Sequence, residues 1–135
     1  MKKIALAILT VIVCAGVGPG VGSAFNENDL QKLKTTKNCV QCDLSGAVLI
    51  HWNLSGADLS GANLSGTNLS EAFMAGANLS GANLSNAILS GASLARANLV
   101  GAKLSASNLF MVDLTRAAWI DGSRCQRRSV GWCKK

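Results

Sequence analysis

The stretch that decides the fold is ADLSGANLSGTNLSEAFMAGANLSGANLSNAILSGASLARANL, residues 57–99, in which leucine or methionine returns at every fifth position. Alanine or threonine stands two places before each of them. An α-helix turns once in 3.6 residues and a strand alternates every 2.0 residues, so neither keeps a five-residue repeat on one face. The pattern therefore predicts a backbone that turns repeatedly and keeps one side of every unit buried.

The same register extends in both directions without an insertion. Residues two places before the centres are nearly all small, and the remaining positions are mostly Asp, Asn, Ser and Gly. The sixteen central residues are Leu44, Leu49, Leu54, Leu59, Leu64, Leu69, Met74, Leu79, Leu84, Leu89, Leu94, Leu99, Leu104, Leu109, Leu114 and Trp119.

Units such as ANLSG, ADLSG and ANLSN resemble the A(D/N)LXX units of the pentapeptide repeat family over residues 42–119. The resemblance implies an all-β solenoid in which five residues form one side of a square and four sides form one right-handed coil. A large central residue fills so narrow an interior only when the other inward residue is small, which explains the alanines. We therefore expect a right-handed quadrilateral β-helix of about four coils, rising about 4.8 Å per coil.

Stacked coils predict that units 20 residues apart lie above one another. Leu44, Leu64, Leu84 and Leu104 should then form one internal ladder. Asp58, Asn78 and Asn98 should form an external ladder in which polar side chains satisfy one another and the backbone.

Segments outside the repeats divide the chain into four predicted parts. Residues 1–24 read as a signal peptide with Lys2 and Lys3 before an apolar core, cleaved after Ala24. An uncleaved anchor is disfavoured by the interrupted apolar run, and lipidation of Cys14 is disfavoured by the preceding valine. The other parts are a capping helix at 25–38, the β-helix at 39–120 and a cap or tail at 121–135.

Both ends of the solenoid should be capped, since an open coil end exposes unpaired strand edges. Asn26 or Asn28 is a candidate N-cap for a short helix with acidic residues early and lysines late. Trp52 replaces an inward alanine under this helix, and Trp119 is predicted to close the other end.

Export leaves four cysteines in the mature chain, an even number that favours disulfides. Disulfide reach excludes a bridge across four coils, so the predicted pairs are Cys39 with Cys42 and Cys125 with Cys133. A dithiol redox role or a metal site at CVQC is the alternative interpretation. No βαβ context surrounds CVQC, and the second cysteine pair is too distant to complete a metal site.

Catalytic patterns are lacking in this sequence. His51 is the single histidine and has no predicted nucleophile or further ligand beside it, so we interpret it as a turn residue. We expect no enzymatic activity, no cofactor and no metal.

The candidate binding surface consists of residues that interrupt the polar pattern at outward positions, where Asn, Ser or Gly would serve the fold equally well. An apolar side bordered by arginines favours a protein partner. The predicted surface comprises Ile50, Ile88, Arg96, Phe110, Met111 and Arg116.

Composition and export together favour a non-enzymatic scaffold for protein interaction or structure, in the periplasm, a thylakoid lumen-like compartment or the extracellular space. The net charge is +6, or +4 without Lys2 and Lys3. Some members of the family resemble duplex DNA and inhibit gyrase, but that alternative needs an acidic cytosolic rod. We expect no nucleic-acid partner and no membrane span after signal cleavage; the sequence does not indicate an oligomeric state.

Overall fold

The computed structural model describes residues 25–135. The predicted signal peptide, residues 1–24, lies outside the described residues.

One short helix, α1 (Glu27–Thr36), precedes the repeats. The Asn26 side chain caps it by accepting hydrogen bonds from the backbone N–H groups of Asn28, at 2.9 Å, and Asp29, at 3.4 Å. Acidic residues occupy its first turn, where they complement the helix dipole. It ends at Lys37, whose left-handed backbone (φ 54°) returns an N–H bond to the Leu33 carbonyl.

The repeats form a continuous coil that closes on itself every 20 residues. Thirteen parallel one-residue bridges, from Asn38↔Asp58 to Asn98↔Ala118, each join residues 20 positions apart. Four five-residue units therefore complete one turn, as the family resemblance implies.

Each coil is hydrogen-bonded to the coils before and after it. The Leu84 N–H donates to the Lys103 carbonyl at 2.8 Å, and the Lys103 N–H donates back to the Ala82 carbonyl at 2.9 Å. Within the coil, the Ala87 N–H donates to the Leu84 carbonyl at 3.0 Å and closes the turn between two sides. This set of bonds repeats along the rod and satisfies the backbone of the repeats, which pair through single-residue bridges.

We number the four sides by their central residues. They are Leu44, Leu64, Leu84 and Leu104 on side 1; Leu49, Leu69, Leu89 and Leu109 on side 2; Leu54, Met74, Leu94 and Leu114 on side 3; and Leu59, Leu79, Leu99 and Trp119 on side 4.

The corner residue, two places after each centre from Leu44 to Leu114, has a left-handed backbone. Gly56 and Gly76 show the usual solution, with φ 68° and 69°, because glycine enters this region without a steric penalty. Seven corners of the sixteen-unit register carry a residue with a side chain at φ between 55° and 60°: His51, Glu71, Asn86, Arg96, Ala106, Met111 and Arg116. Each of these corners is strained relative to glycine.

The core contains the central leucines and the small residues two places before them, and most of these are fully buried. Thr67 and Ser107 stand at small-residue positions on side 2. Their hydroxyls donate to the carbonyls of Leu44, at 3.0 Å, and Leu84, at 2.8 Å. Buried hydroxyls are thus accommodated without an orphan donor.

The predicted external ladder is present on side 4. The side-chain amide of Asn78 donates to the Asp58 carboxylate at 3.3 Å, and the side-chain amide of Asn98 donates to the side-chain oxygen of Asn78 at 3.4 Å. Hydrogen bonds from the Ser60 hydroxyl and backbone N–H, with a smaller one from Asn78, lower the pKa of Asp58.

Helix α1 lies over the first coil. The Asn26 N–H donates to the Asp43 carbonyl at 2.9 Å, and the Asp43 N–H donates to the Asp29 carboxylate at 2.8 Å. Leu33, a residue of α1, is fully buried against the coil. Leu33 and half-buried Trp52 line one small cleft.

The C-terminal tail folds back antiparallel onto two of the four sides. Asp113 pairs with Val130 on side 3, and Ala118 pairs with Arg124 on side 4. Sides 1 and 2 of the last coil receive no such cover, so Leu104 and Leu109 are only partly buried. In the internal ladder predicted for side 1, Leu44, Leu64 and Leu84 are therefore fully buried, and Leu104 is not.

Candidate functional site

The C-terminal end of the rod is closed on two sides and open on two. On sides 3 and 4 the tail supplies acceptors, with Leu114 N–H donating to the Ser129 carbonyl at 2.8 Å and Trp119 N–H donating to the Ser123 carbonyl at 2.7 Å. Trp119 is itself only partly buried, so the end is closed by the returning chain as well as by this side chain.

An edge of unpaired backbone donors remains on sides 1 and 2. In every preceding coil, the central and corner N–H groups of these sides donate to the following coil. Within the described residues, four equivalent N–H groups have no protein acceptor: those of Leu104, Ala106, Leu109 and Met111. We call this set the open edge. It has the chemistry of an unprotected strand edge, which pairs readily with another extended chain.

Exposed apolar side chains lie beside the open edge. Phe110 is 70% exposed and Met111 is 60% exposed, and both belong to the last unit of side 2. Ile88, 40% exposed, stands one coil earlier and bridges to Asn108. Exposed apolar side chains grouped in this way are a feature of interaction sites.

Ile50 belongs to the same side but not to this group. It lies three coils from Phe110, or about 14 Å along the rod at the usual spacing. Two serines, Ser70 and Ser90, occupy the equivalent positions between them. Of the predicted apolar residues, the structure therefore brings together Ile88, Phe110 and Met111 and leaves Ile50 apart.

The two predicted arginines line a groove that is separate from the exposed apolar side chains. Arg96 and Arg116 are corner residues at the far end of side 3, so a full five-residue side separates Arg116 from Met111. Both arginines line an open groove together with Arg127 and Arg128 from the tail. The four-arginine cluster was outside the sequence prediction, since the fold-back of the tail has no periodic signal.

His51 has a carboxylate partner that the sequence analysis missed. Its Nδ1 lies 3.5 Å from the Glu71 carboxylate, one coil later at the same corner. The 20-residue stacking rule would have found this pair, because 51 and 71 differ by one coil. Both side chains are well exposed, where an ion pair contributes little to stability.

Both cysteine pairs stand at disulfide distance. The sulfurs of Cys39 and Cys42 are 2.11 Å apart, and those of Cys125 and Cys133 are 2.07 Å apart. Cys39 is fully buried and Cys42 nearly so, beneath α1. Burial denies a substrate thiol access to either sulfur, so this geometry does not favour the dithiol redox alternative.

Among residues 25–135, no cluster of three or more His, Cys, Asp or Glu side chains is placed to hold a metal ion. No helix in that range combines the length and the apolar character that a membrane span requires.

The geometry defines a class of protein, the square β-solenoid built from five-residue units. Comparison with known proteins identifies the family: the model for pentapeptide repeats matches with eight copies over residues 38–76 and 74–109. The chain belongs to the pentapeptide repeat family, which confirms the resemblance, and proteins of this family fold as right-handed quadrilateral β-helices.

Solved structures provide partial matches. A pentapeptide repeat protein from the thylakoid lumen of Arabidopsis thaliana is 37% identical, with a TM-score of 0.53. The match covers 54% of this chain and 50% of that protein, so the chain spans about half the length of this relative.

A second pentapeptide repeat protein, from Nostoc, is 32% identical over 60% of this chain and 72% of its own, with a TM-score of 0.37. A third, also from Nostoc and involved in regulating heterocyst differentiation, is 30% identical over 64% of this chain and 51% of its own, with a TM-score of 0.32. No curated protein matched the chain.

Proposed function

We propose that this protein is an exported, non-enzymatic scaffold that binds a protein partner at its C-terminal end. The observation that carries the proposal is the open edge, in which four N–H groups have no protein acceptor. A partner that adds an extended segment there would satisfy these donors and continue the coil by β-augmentation. Phe110, Met111 and Ile88 would supply the apolar contact that accompanies such pairing.

The N-terminal end of the rod is covered, which restricts partner addition to the C-terminal end. We propose that α1 caps a solenoid of about four coils, because it covers the first coil through the Asn26 and Asp29 contacts with Asp43. This cover blocks addition of a chain at the N-terminal end. The C-terminal tail covers only sides 3 and 4 of the last coil, so the open edge on sides 1 and 2 is where a further chain can pair.

Three features support export. Residues 1–24 have the sequence of a cleavable signal, both cysteine pairs stand at disulfide distance, and one structural relative comes from the thylakoid lumen. Small disulfide-bonded domains are typical of oxidising compartments. We propose the periplasm or a lumen-like compartment, with cleavage after Ala24.

The test compares two double variants as affinity baits in the exported fraction. Ile88→Ser with Phe110→Ser removes two of the three exposed apolar side chains beside the open edge. Val48→Ser with Phe73→Ser is the matched control, because it also removes one aliphatic and one phenylalanine side chain that are 65% and 54% exposed, away from this edge.

We expect both variants to keep the melting temperature of the natural protein, since none of the four side chains is in the core. Partners captured by the natural protein and by the control should be lost from the Ile88/Phe110 variant. Equal capture by all three proteins would place the site elsewhere and refute the proposal.

A further inference from the structure

An open groove of about 590 Å³ runs along side 3 near the C-terminal end. Its floor is formed by small residues, Ala75, Gly76 and Ala95. Arginines surround this floor, and they come from two separate parts of the chain: Arg96 and Arg116 from the repeats, Arg127 and Arg128 from the tail. A volume of this size is within the usual range for small-molecule sites.

The antiparallel return of the tail creates the groove. Leu114 N–H donates to the Ser129 carbonyl, and Gly131 N–H donates to the Val112 carbonyl, both at 2.8 Å. These bonds hold the tail against the last unit of side 3. Arg127 and Arg128, which immediately precede Ser129, are thereby fixed beside the repeat arginines.

The groove has a strong excess of positive charge. Of the two ion pairs among residues 25–135, neither involves these arginines; they join His51 with Glu71 and Lys135 with Asp121. Asp113 is the one carboxylate that lines the groove, and it accepts a bond from the Thr115 N–H at 2.9 Å. Four guanidinium groups around one carboxylate repel one another, and a bound anion would relieve that repulsion.

The arginine corners carry backbone strain, which supplies a way to test their side chains. Arg96, Arg116 and Arg128 have φ of 60°, 59° and 62°, the left-handed region where side chains are unfavourable. The earlier corners of the same side, Gly56 and Gly76, use glycine. Glycine would relieve this strain at Arg96 and Arg116, so replacing either arginine by glycine should remove the guanidinium group without destabilising the fold.

We propose that the arginine groove binds a ligand that carries two or more phosphate groups. Guanidinium groups present paired donors that match phosphate oxygens in a bidentate arrangement. A phosphate monoester carries about −1.5 to −2 charges at pH 7, so two such groups balance four arginines. Carboxylates carry half of that charge each, which makes an acidic peptide a poorer match to this density of cations.

The test uses tripolyphosphate as the probe and isothermal titration at low salt, with exported protein in which both disulfides are formed. Arg96→Gly and Arg116→Gly should each weaken binding by tenfold or more and raise the melting temperature, because glycine relieves the corner. A loss of binding by a more stable protein is not explained by misfolding. Unchanged affinity in both variants would overturn the proposal.

Two further variants separate geometry from charge. Asn86→Gly relieves an equivalent corner, φ 58°, on another side. It should raise the melting temperature and leave the affinity unchanged; a loss of affinity would show that corner relief, and not the arginine side chain, controls binding. Arg116→Lys keeps the charge but removes the paired donors, so it should weaken binding several-fold, whereas full affinity would refute bidentate recognition.

The source of the phosphate groups is resolved with vesicles. Binding to phosphatidic acid vesicles, whose headgroup is a phosphate monoester, absent with phosphatidylcholine and lost in Arg96→Gly, would indicate headgroups on a membrane surface. Binding to tripolyphosphate alone would indicate a soluble ligand. Polyglutamate that binds as tightly as tripolyphosphate, or a complete absence of binding to all these probes, would overturn the phosphate assignment.

Discussion

Replacing Leu84 by alanine tests the packing of the solenoid interior. Leu84 is fully buried on side 1, in a coil with neighbours on both sides. Leucine-to-alanine changes in cores cost about 2 to 5 kcal/mol, and the cost increases with the cavity that remains. Here the flanking backbone is bonded in both directions, from Leu84 to Lys103 at 2.8 Å and from Asn83 to Ala62 at 2.9 Å. The coil therefore resists collapse, and we expect a loss of about 3 to 5 kcal/mol.

Leu109→Ala provides the matched comparison. The side chain is the same and lies at the same repeat position, but Leu109 is only partly buried because no coil covers it. The Leu109 side chain buries less apolar surface than that of Leu84, and its truncation leaves no closed cavity. We therefore expect the free energy of unfolding to fall by about 1 to 2 kcal/mol.

Urea unfolding followed by circular dichroism measures both losses. An interior defect in a solenoid weakens the interface between neighbouring coils, so the slope of the transition must be compared as well as its midpoint. Equal losses for the two variants, or a loss below about 1 kcal/mol for Leu84→Ala, would refute the inward, close-packed assignment of the central residues.

Three other predictions concern packing, the tail and acid stability. Ala82→Leu should destabilise the protein by about 1 to 3 kcal/mol or more in thermal melts, because this fully buried position has no room for a larger side chain; a neutral result would contradict its inward position. Changing Cys125 and Cys133 together to serine should cost about 2 to 4 kcal/mol by releasing the tail, and an unchanged unfolding midpoint would show that the tail docks without the bridge. Hydrogen bonds from Ser60 lower the pKa of Asp58, so its stabilising effect is present above the usual value of 3.8 and is lost as the pH falls through the lower folded value. Asp58→Asn should therefore show a smaller fall in melting temperature on acidification than the natural protein, and identical falls would refute this linkage.

Most of the fold was predictable because the repeat carries it. A large residue at every fifth position and a small one two places earlier specify one buried side per unit. The square interior and the stacking at 20 residues were implied by the resemblance to the pentapeptide repeat family. The bridges from Asn38↔Asp58 onward show this arrangement. The presence of helix α1 was also predictable, since Asn26 and the charge distribution of α1 follow ordinary rules for helix ends.

The tail could not be predicted because its pairing depends on geometry at the end of the rod. Residues 121–135 have no repeat, so nothing in them specifies which sides they cover or in which direction they run. Two consequences of that pairing were therefore missed: the open edge on sides 1 and 2, and the meeting of Arg127 and Arg128 with Arg96 and Arg116. Arginine at two corners where the same side earlier uses glycine was the one available signal for the groove.

The measurement that tests the proposed function most directly is amide hydrogen exchange, resolved by residue, on the protein alone and with its captured partner. We predict that the open edge, Leu104, Ala106, Leu109 and Met111, exchanges rapidly in the isolated protein, while the equivalent amides of the preceding coil exchange slowly. The partner should slow exchange at the open edge. Protection of these four amides in the isolated protein, or exchange that stays equally rapid in the complex, would contradict the account.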